Sequence, residues 1–459
     1  MTGGEVYAEK ERITSPNPAY SHTAFLFICV TSMNYQQAIN FLYGQHPAFE
    51  REGAGAYKPG LDTSRRLAAL FGDPQQNYAI IHVAGTNGKG SVSHMLAAML
   101  QSAGYRVGLF TSPHLVDFCE RIKVNGVMIS HRDVADWVEA YQALHFPGAP
   151  SFFELTSTMA LAHFAREKVD VAVVEVGLGG RLDSTNIVTP VLSVITNISL
   201  DHTDLLGSTL GEIAAEKAGI IKHGVPVVLG EGQEAESRCV IESKAMAMQA
   251  PLVIASDDPM VVRAYRHNGE LYVDTRNDGT AIHCALAGDY QVANVNTVLA
   301  AAQVLRQLGY RLNVAQGLEH VVELTGLMGR WMRLQDNPLV VCDSAHNVAG
   351  MEYAMRQLAS TPAAHIHMVV GFMADKDVTS MLSLMPENAT YYFTQVSSPR
   401  ALKSTELRKR AAALNRHGCG YSTVEKAVKA ALAAATPADM VYVGGSMYVL
   451  ADFLAKWPY

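Results

Sequence analysis

A glycine-rich turn set between a β-type run and a helical pattern constrains this chain more than any other feature. His82-Val83-Ala84-Gly85-Thr86-Asn87-Gly88-Lys89-Gly90-Ser91 follows the apolar run Tyr78 to Val83 and opens a helix. Such a turn converges backbone N–H groups on an anion, the lysine adds charge, and the helix N-terminus points at the ligand. It departs from the standard phosphate loop in two places. Val83 stands where the first glycine falls, and Gly90 follows Lys89 where Ser or Thr is usual. A glycine-rich turn alone is often structural; the Gly88-Lys89 pair and the flanking elements favour nucleotide binding.

Short β-branched runs recur beyond the turn at Val107 to Phe110, Val169 to Val176, Leu192 to Ile198 and Val225 to Leu229. Helical stretches separate them. The first, with apolar residues at Val92, Met95, Leu96, Met99 and Leu100, predicts one buried stripe capped near Gly104. Alternating strands and helices predict an α/β fold with a parallel sheet covered on both faces. Around Met260 to His283 the alternation predicts a small antiparallel insertion. A second series (Leu339 to Cys342, His367 to Gly371, Tyr391 to Thr394, Met440 to Val443) follows Gly326-Leu327-Met328-Gly329-Arg330. The helix Val424 to Ala435 lies among them. The expected organisation is an extension over 1–32, with Met33 as good a start as Met1, then a P-loop parallel-sheet ATPase domain over 33–325. A smaller Rossmann-like α/β domain over 326–459 completes it.

At 459 residues two domains are the default. Lys plus Arg number 36 against 43 Asp plus Glu, so no basic face is suggested and nucleic acid is not an expected partner. Six scattered cysteines without a C-x-x-C pair predict reduced thiols in the cytoplasm and argue against zinc. The run Ala24 to Val30 is too short to span a bilayer, and no basic segment of secretory type precedes it.

Several polar residues follow strands, where open α/β sheets bind ligands. Glu175 is placed to hold Mg²⁺, although a turn-capping glutamate has the same signature. His202 follows another strand. Lys217 reads from physics alone as a surface lysine near a helix end. Asp343, Ser344, Ala345, His346 and Asn347 suit either a ligand between domains or a helix N-cap. Arg330 is either an exposed linker residue or a guanidinium that reaches phosphates on closure.

Taken in order, Gly85 to Ser91, Thr111 to His114, Phe152 to Glu154, Glu175 to Asn186, Leu200 to Thr203, Glu216 to Gly219, Asp343 to Asn347 and Gly371 to Asp377 form a set. It resembles bifunctional dihydrofolate synthase/folylpolyglutamate synthase, a branch of the Mur ligase superfamily, from about residue 34 to the C-terminus. Gly177 to Asp183 and Ala374 to Asp377 are peculiar to the folate branch. The resemblance implies an ATP-dependent carboxylate–amine ligase that joins L-glutamate to 7,8-dihydropteroate and adds glutamates to tetrahydrofolate through an acyl phosphate. It assigns ATP to Thr86, Asn87, Gly88, Lys89, Gly90, Ser91, Asn294, Arg330, Asp343 and His346. Magnesium, at about two sites, falls to Ser112, Glu175, His202 and a carbamylated Lys217. The pterin or folate falls to Ser151, Phe152, Phe153, Glu154, Leu182, Asp183 and Ser184, with Phe152 or Phe153 stacked on the ring. Catalysis rests on Lys89, Lys217, His202 and Glu175. Met328-Gly329-Arg330 replaces the usual Pro-Gly-Arg. The expected protein is a cytoplasmic monomer with small-molecule substrates and no membrane contact. The alternatives are a monofunctional version, another Mur-type amino-acid ligase, or a nucleotide-dependent regulator without ligase activity.

Overall fold

The computed structural model describes residues 33–56, 58, 60–231, 234–276 and 281–458; the expected extension over 1–32 lies outside the described residues. The first sheet has eight strands: β1 (Ala79–Ala84), β2 (Val107–Phe110), β3 (Ile122–Val124), β4 (Val127–Met128), β5 (Val171–Glu175), β6 (Leu192–Ile195), β7 (Val227–Leu229) and β8 (Leu252–Ile254). Their order is β4-β3-β2-β5-β1-β6-β7-β8. From β2 to β8 every pairing is parallel, while β3 and β4 add an antiparallel edge that the apolar runs do not announce. β2, β5 and β6 are buried at every residue, as parallel strands covered on both faces must be.

The helix after the glycine-rich turn, Lys89–Gln101, buries every residue from Ser91 to Leu100 and not the expected single stripe. It lies between the sheet and the helices Gln291–Gln307, Val314–Glu319 and Val321–Thr325, so no face meets water. Its C-cap is Ser102; the expected cap Gly104 comes two residues later, at φ +93°. On the opposite face His131–Ala143 and Phe152–Arg166 enclose an aromatic core with Phe110, Phe118 and Phe164.

The expected insertion is a three-stranded antiparallel sheet of β9 (Val261–His267), β10 (Glu270–Thr275) and β11 (Ala281–Cys284). The third sheet has β12 (Met332–Asp336), β13 (Leu339–Cys342), β14 (Ile366–Val370), β15 (Thr390–Phe393), β16 (Gly418–Gly420) and β17 (Met440–Gly444), ordered β12-β13-β17-β14-β15-β16. Only β12 is antiparallel. The α/β class and both parallel sheets agree with the sequence expectation. The buried Lys123 ammonium donates to the carbonyls of Thr325 (2.7 Å) and Gly326 (3.3 Å), pinning the chain where it leaves the first sheet's helices. The carboxyl ends of β1, β2, β5 and β6 then face those of β13, β14 and β17 across one cleft.

Helix Val314–Glu319 approaches Lys89–Gln101 so closely that a Cβ on Gly317 would stand 2.6 Å from the Met99 Cα. Gly317→Ala should therefore cost about 1–3 kcal/mol by overpacking. Gly44→Ala, where a Cβ meets open space, serves as its control. Equal urea midpoints for the two variants would show that the helices separate freely.

Candidate active site

The cleft has a volume of about 790 Å³ and is lined from both lobes. Its floor is the glycine-rich turn. Gly88 has φ +85°, and a Cβ there would lie 2.3 Å from the Asn294 side-chain oxygen; both the conformation and the close approach require glycine. Neighbouring strand ends fasten the turn. Thr86 N donates to Asn197 O and Asn87 N to the Asn197 side chain, each at 2.8 Å, and Thr196 Oγ1 donates to Asn87 O at 2.6 Å. Lys89 Nζ folds back onto the carbonyls of Gly85 and Thr86, both 3.0 Å away. Burial lowers its pKa, while Glu175 and Asp201 oppose that shift.

Glu175 ends β5, pairs in register with Val83 of β1, and is 4% exposed. Burial pushes its carboxyl up to about 7, against the pull of Lys89 and of the Ser112 N–H, which donates to it at 3.2 Å. His202 adopts a left-handed conformation (φ +51°) before the short helix Thr203–Leu206, and burial lowers its pKa to about 4. Its imidazole is therefore neutral near pH 7, the form that ligates metals. Lys217 is not the surface lysine its position near a helix end suggests: it is 3% exposed, and burial with the nearby Lys89 lowers its pKa to about 7.

The pocket side of the cleft separates the expected residues by task. Ser151 and Glu154 form a capping box for Phe152–Arg166: Glu154 N donates to Ser151 Oγ at 3.2 Å, and Ser151 N donates back to Glu154 Oε2 at 2.7 Å. The Ser-x-x-Glu spacing carries that signal in the sequence. Asp183 accepts from the N–H groups of Gly177 (3.0 Å), Leu178 (2.9 Å) and Thr185 (3.0 Å), which shapes the wall on which Leu182 and Ser184 sit. Phe152 is buried against Tyr43 (ring centroids 4.3 Å apart) and beneath Arg121. Phe153 is the more accessible ring and packs beside Gly177.

The second lobe completes the cleft. Arg330 hydrogen-bonds Ser344 Oγ and lies near Gly90 and Glu175, so it is no exposed linker residue. Asp343 is 1% exposed and accepts from Tyr290 Oη (2.7 Å), Trp331 N (2.8 Å) and Ala345 N (2.8 Å). Of the cluster Asp343 to Asn347, the last residue is the N-cap of the following helix. Asn294 donates to Gln291, which donates to Ser91 Oγ, joining two enclosed helices.

Asp201, quoted within a motif but given no role, is the hub between lobes. Lys376 Nζ donates to it at 2.6 Å and Asn347 Nδ2 at 3.2 Å, and His202 and His346 nitrogens stand 3.8 Å away. Although burial opposes it, the Lys376 ammonium and the adjoining His202 and His346 rings hold its carboxyl well below the usual range. Asn347 and Asn87 exchange side-chain hydrogen bonds of 3.0 and 3.3 Å across the same gap. Tyr290 and Arg121 also line the cleft outside the expected set.

A phosphate-type loop, a buried carboxylate, a neutral imidazole and a buried amine between two α/β lobes define an ATP-dependent ligase of the Mur class. Residues 83–302 match the Mur ligase middle domain, and residues 329–447 match the Mur ligase glutamate ligase domain. Dihydrofolate synthase/folylpolyglutamate synthase of Bacillus subtilis is 32% identical, covering 91% of this chain and 98% of the relative. A probable bifunctional folylpolyglutamate synthase/dihydropteroate synthase of Haloferax volcanii is 34% identical over 93% of this chain, which spans 51% of that longer protein. The Yersinia pestis bifunctional folylpolyglutamate synthase/dihydrofolate synthase complexed with AMPPNP and Mn ion superimposes with a TM-score of 0.78 at 29% identity, covering 92% and 98% of the two chains. The chain belongs to the dihydrofolate synthase/folylpolyglutamate synthase family of Mur ligases. Among the described residues no helix is long and apolar enough to cross a membrane.

Removing the charge of Asp201 leaves the Lys376 ammonium, 18% exposed at its side chain, without its partner. Losing a hydrogen bond between charged groups costs about 1.5–3 kcal/mol, so Asp201→Asn should loosen the lobes. Solution scattering should show a larger radius of gyration; an unchanged radius would remove the pair from the docking of the two lobes.

Proposed function

We propose that this chain uses ATP to join L-glutamate to 7,8-dihydropteroate and to extend tetrahydrofolate with further glutamates, as a cytoplasmic monomer without nucleic-acid or membrane partners. The observation that carries this reading is the convergence of Lys89, Glu175, His202 and Lys217 below a pocket walled by Phe153, Leu182 and Ser184. The N–H groups of Thr86 to Ser91 cradle the ATP phosphates, with Lys89 released from its own loop carbonyls onto the transferring group. Asn294, Arg330, Asp343 and His346 close on the nucleotide from helix Gln291–Gln307 and the second lobe.

The pterin enters beside Phe153, whose ring offers a stacking face, while Phe152 supports Arg121 from below. Ser151 and Glu154 act on this pocket by fixing the start of the helix that carries both rings. The substrate carboxylate attacks the γ-phosphate, and the amine of glutamate then displaces phosphate from the acyl phosphate. That intermediate hydrolyses readily, so the Asp201–Lys376 and Asn87–Asn347 contacts serve by excluding water.

Ser112, Glu175, His202 and Lys217 fit Mg²⁺. The Glu175 carboxyl is buried and pushed toward neutrality, a state that a cation relieves, and the His202 imidazole is unprotonated. When bound, Mg²⁺ neutralises the phosphate oxygens during transfer. With a pKa near 7, the Lys217 amine is substantially neutral at pH 7–8, the form that adds carbon dioxide to become a carboxylate-like ligand.

Phosphate release from MgATP should require both L-glutamate and an acceptor. Dihydropteroate and tetrahydrofolate should each gain a glutamyl unit by mass; release without an acceptor would sink the assignment. Lys217→Ala should lower turnover on the order of 10²–10³-fold, the scale of losing one preorganised charge-stabilising group. In the unsubstituted protein, incorporation of labelled bicarbonate should rise as pH climbs through 7, because deprotonation exposes the amine lone pair. Equal labelling of both proteins would remove the carbamate from Lys217.

A further inference from the structure

We propose that Asp117, Cys119 and His131, braced by Tyr35, form a second metal site, of the zinc class, on the outer side of the first lobe. None of the four lines the cleft. They come from the start of helix Tyr35–Gln45, the turn Asp117–Arg121 and the first residue of helix His131–Ala143. Among the described residues, no other set of three His, Cys, Asp or Glu side chains brings its ligand atoms within 4.8 Å of one another.

The spacing suits a tetrahedral ion. His131 Nε2 stands 3.5 Å from Asp117 Oδ2, and the ligand atoms of Asp117, Cys119 and His131 all lie within 4.8 Å of one another. Zinc bound to sulfur at about 2.3 Å and to nitrogen or oxygen at about 2.0–2.1 Å places neighbouring ligand atoms roughly 3.3–3.8 Å apart. The carboxylate is also oriented for the task. Asp117 Oδ1 accepts from Tyr35 Oη (2.9 Å) and Cys119 N (2.8 Å), which leaves Oδ2 toward His131. The His131 ring is held by stacking on Tyr35, with centroids 3.7 Å apart and planes 7° from parallel. Such supporting contacts aim ligands in metal sites.

One sulfur, one imidazole nitrogen and one carboxylate oxygen make a donor set that selects zinc-like ions over Mg²⁺. The site is therefore chemically distinct from the oxygen-rich magnesium position in the cleft. Cys119 is buried, while the His131 side chain is 61% exposed, so the ion enters past the imidazole. Burial pushes the Cys119 thiol up to about 12, and the unliganded site keeps it protonated. On binding, the S–H bond breaks, the sulfur lone pair forms the S–metal bond, and the proton leaves to solvent. The ion would tie three segments together beside Arg121, whose Nε donates to His114 at 2.8 Å in the segment that carries Ser112.

The test titrates the full chain, in excess Mg²⁺, first with Co²⁺ and then with Zn²⁺. One equivalent of Co²⁺ should bind with a near-ultraviolet thiolate-to-cobalt charge-transfer band, and Zn²⁺ should displace it. Cys119→Ser should remove the band, and His131→Ala should weaken binding at least tenfold. His131 is exposed, so that variant stays informative if Cys119→Ser disturbs the buried turn, and the band itself reports the thiol. Absence of a stoichiometric site would overturn the proposal. So would binding that persists in the Cys119→Ser variant, or binding without the band, which would mark a surface imidazole only.

Discussion

Two sheets meet at their carboxyl edges, and the contact that bridges them there is a carboxylate whose side chain is only 9% exposed. Asp201 holds Lys376 at 2.6 Å and Asn347 at 3.2 Å, and both partners belong to the other lobe. A charge removed from water is tolerated only when it is paired, so Asp201 obliges the lobes to stay close. Every residue that completes the cleft from the second lobe depends on that proximity. Arg330 lies near Gly90 and Glu175, and Asp343 receives the Tyr290 hydroxyl, across the same gap.

The same burial tunes the chemistry. One desolvated cleft lifts the Glu175 carboxyl to about 7 and depresses the Lys217 amine to about 7 and the His202 imidazole to about 4. All three shifts run toward the uncharged form, as low dielectric requires. A cleft that disfavours isolated charge leaves each of these groups charged only beside an opposite charge. The parallel sheets contribute by delivering these side chains at the ends of β5 and β6 and from the helix beyond, with Lys89 opening the helix after β1.

Within the site, what could be read from the sequence depended on how local the signal is. The glycine-rich turn carries its function in adjacent residues, because backbone N–H groups and a helix N-terminus need only a strand before and a helix after. The Ser151–Glu154 capping box is equally local, since the Ser-x-x-Glu spacing alone sets its reciprocal hydrogen bonds. Phe152 and Phe153 are indistinguishable as neighbours in the chain; Tyr43, more than a hundred residues away, buries one of them. Asp201 was in view as a residue, but its partners lie 146 and 175 positions further along, and no spacing rule reaches that far.

The sequence by itself determined the alternation of strands and helices, the phosphate-type turn and the antiparallel insertion. Each follows from periodicity and from the conformational needs of glycine over a few residues. Tertiary structure alone decided that Lys217 is buried and not a surface lysine, and that the helix after the turn is enclosed on all sides. The physical reason is common to these cases. Desolvation and close packing are set by every atom around a side chain, and those atoms come from segments that only the folded chain brings together.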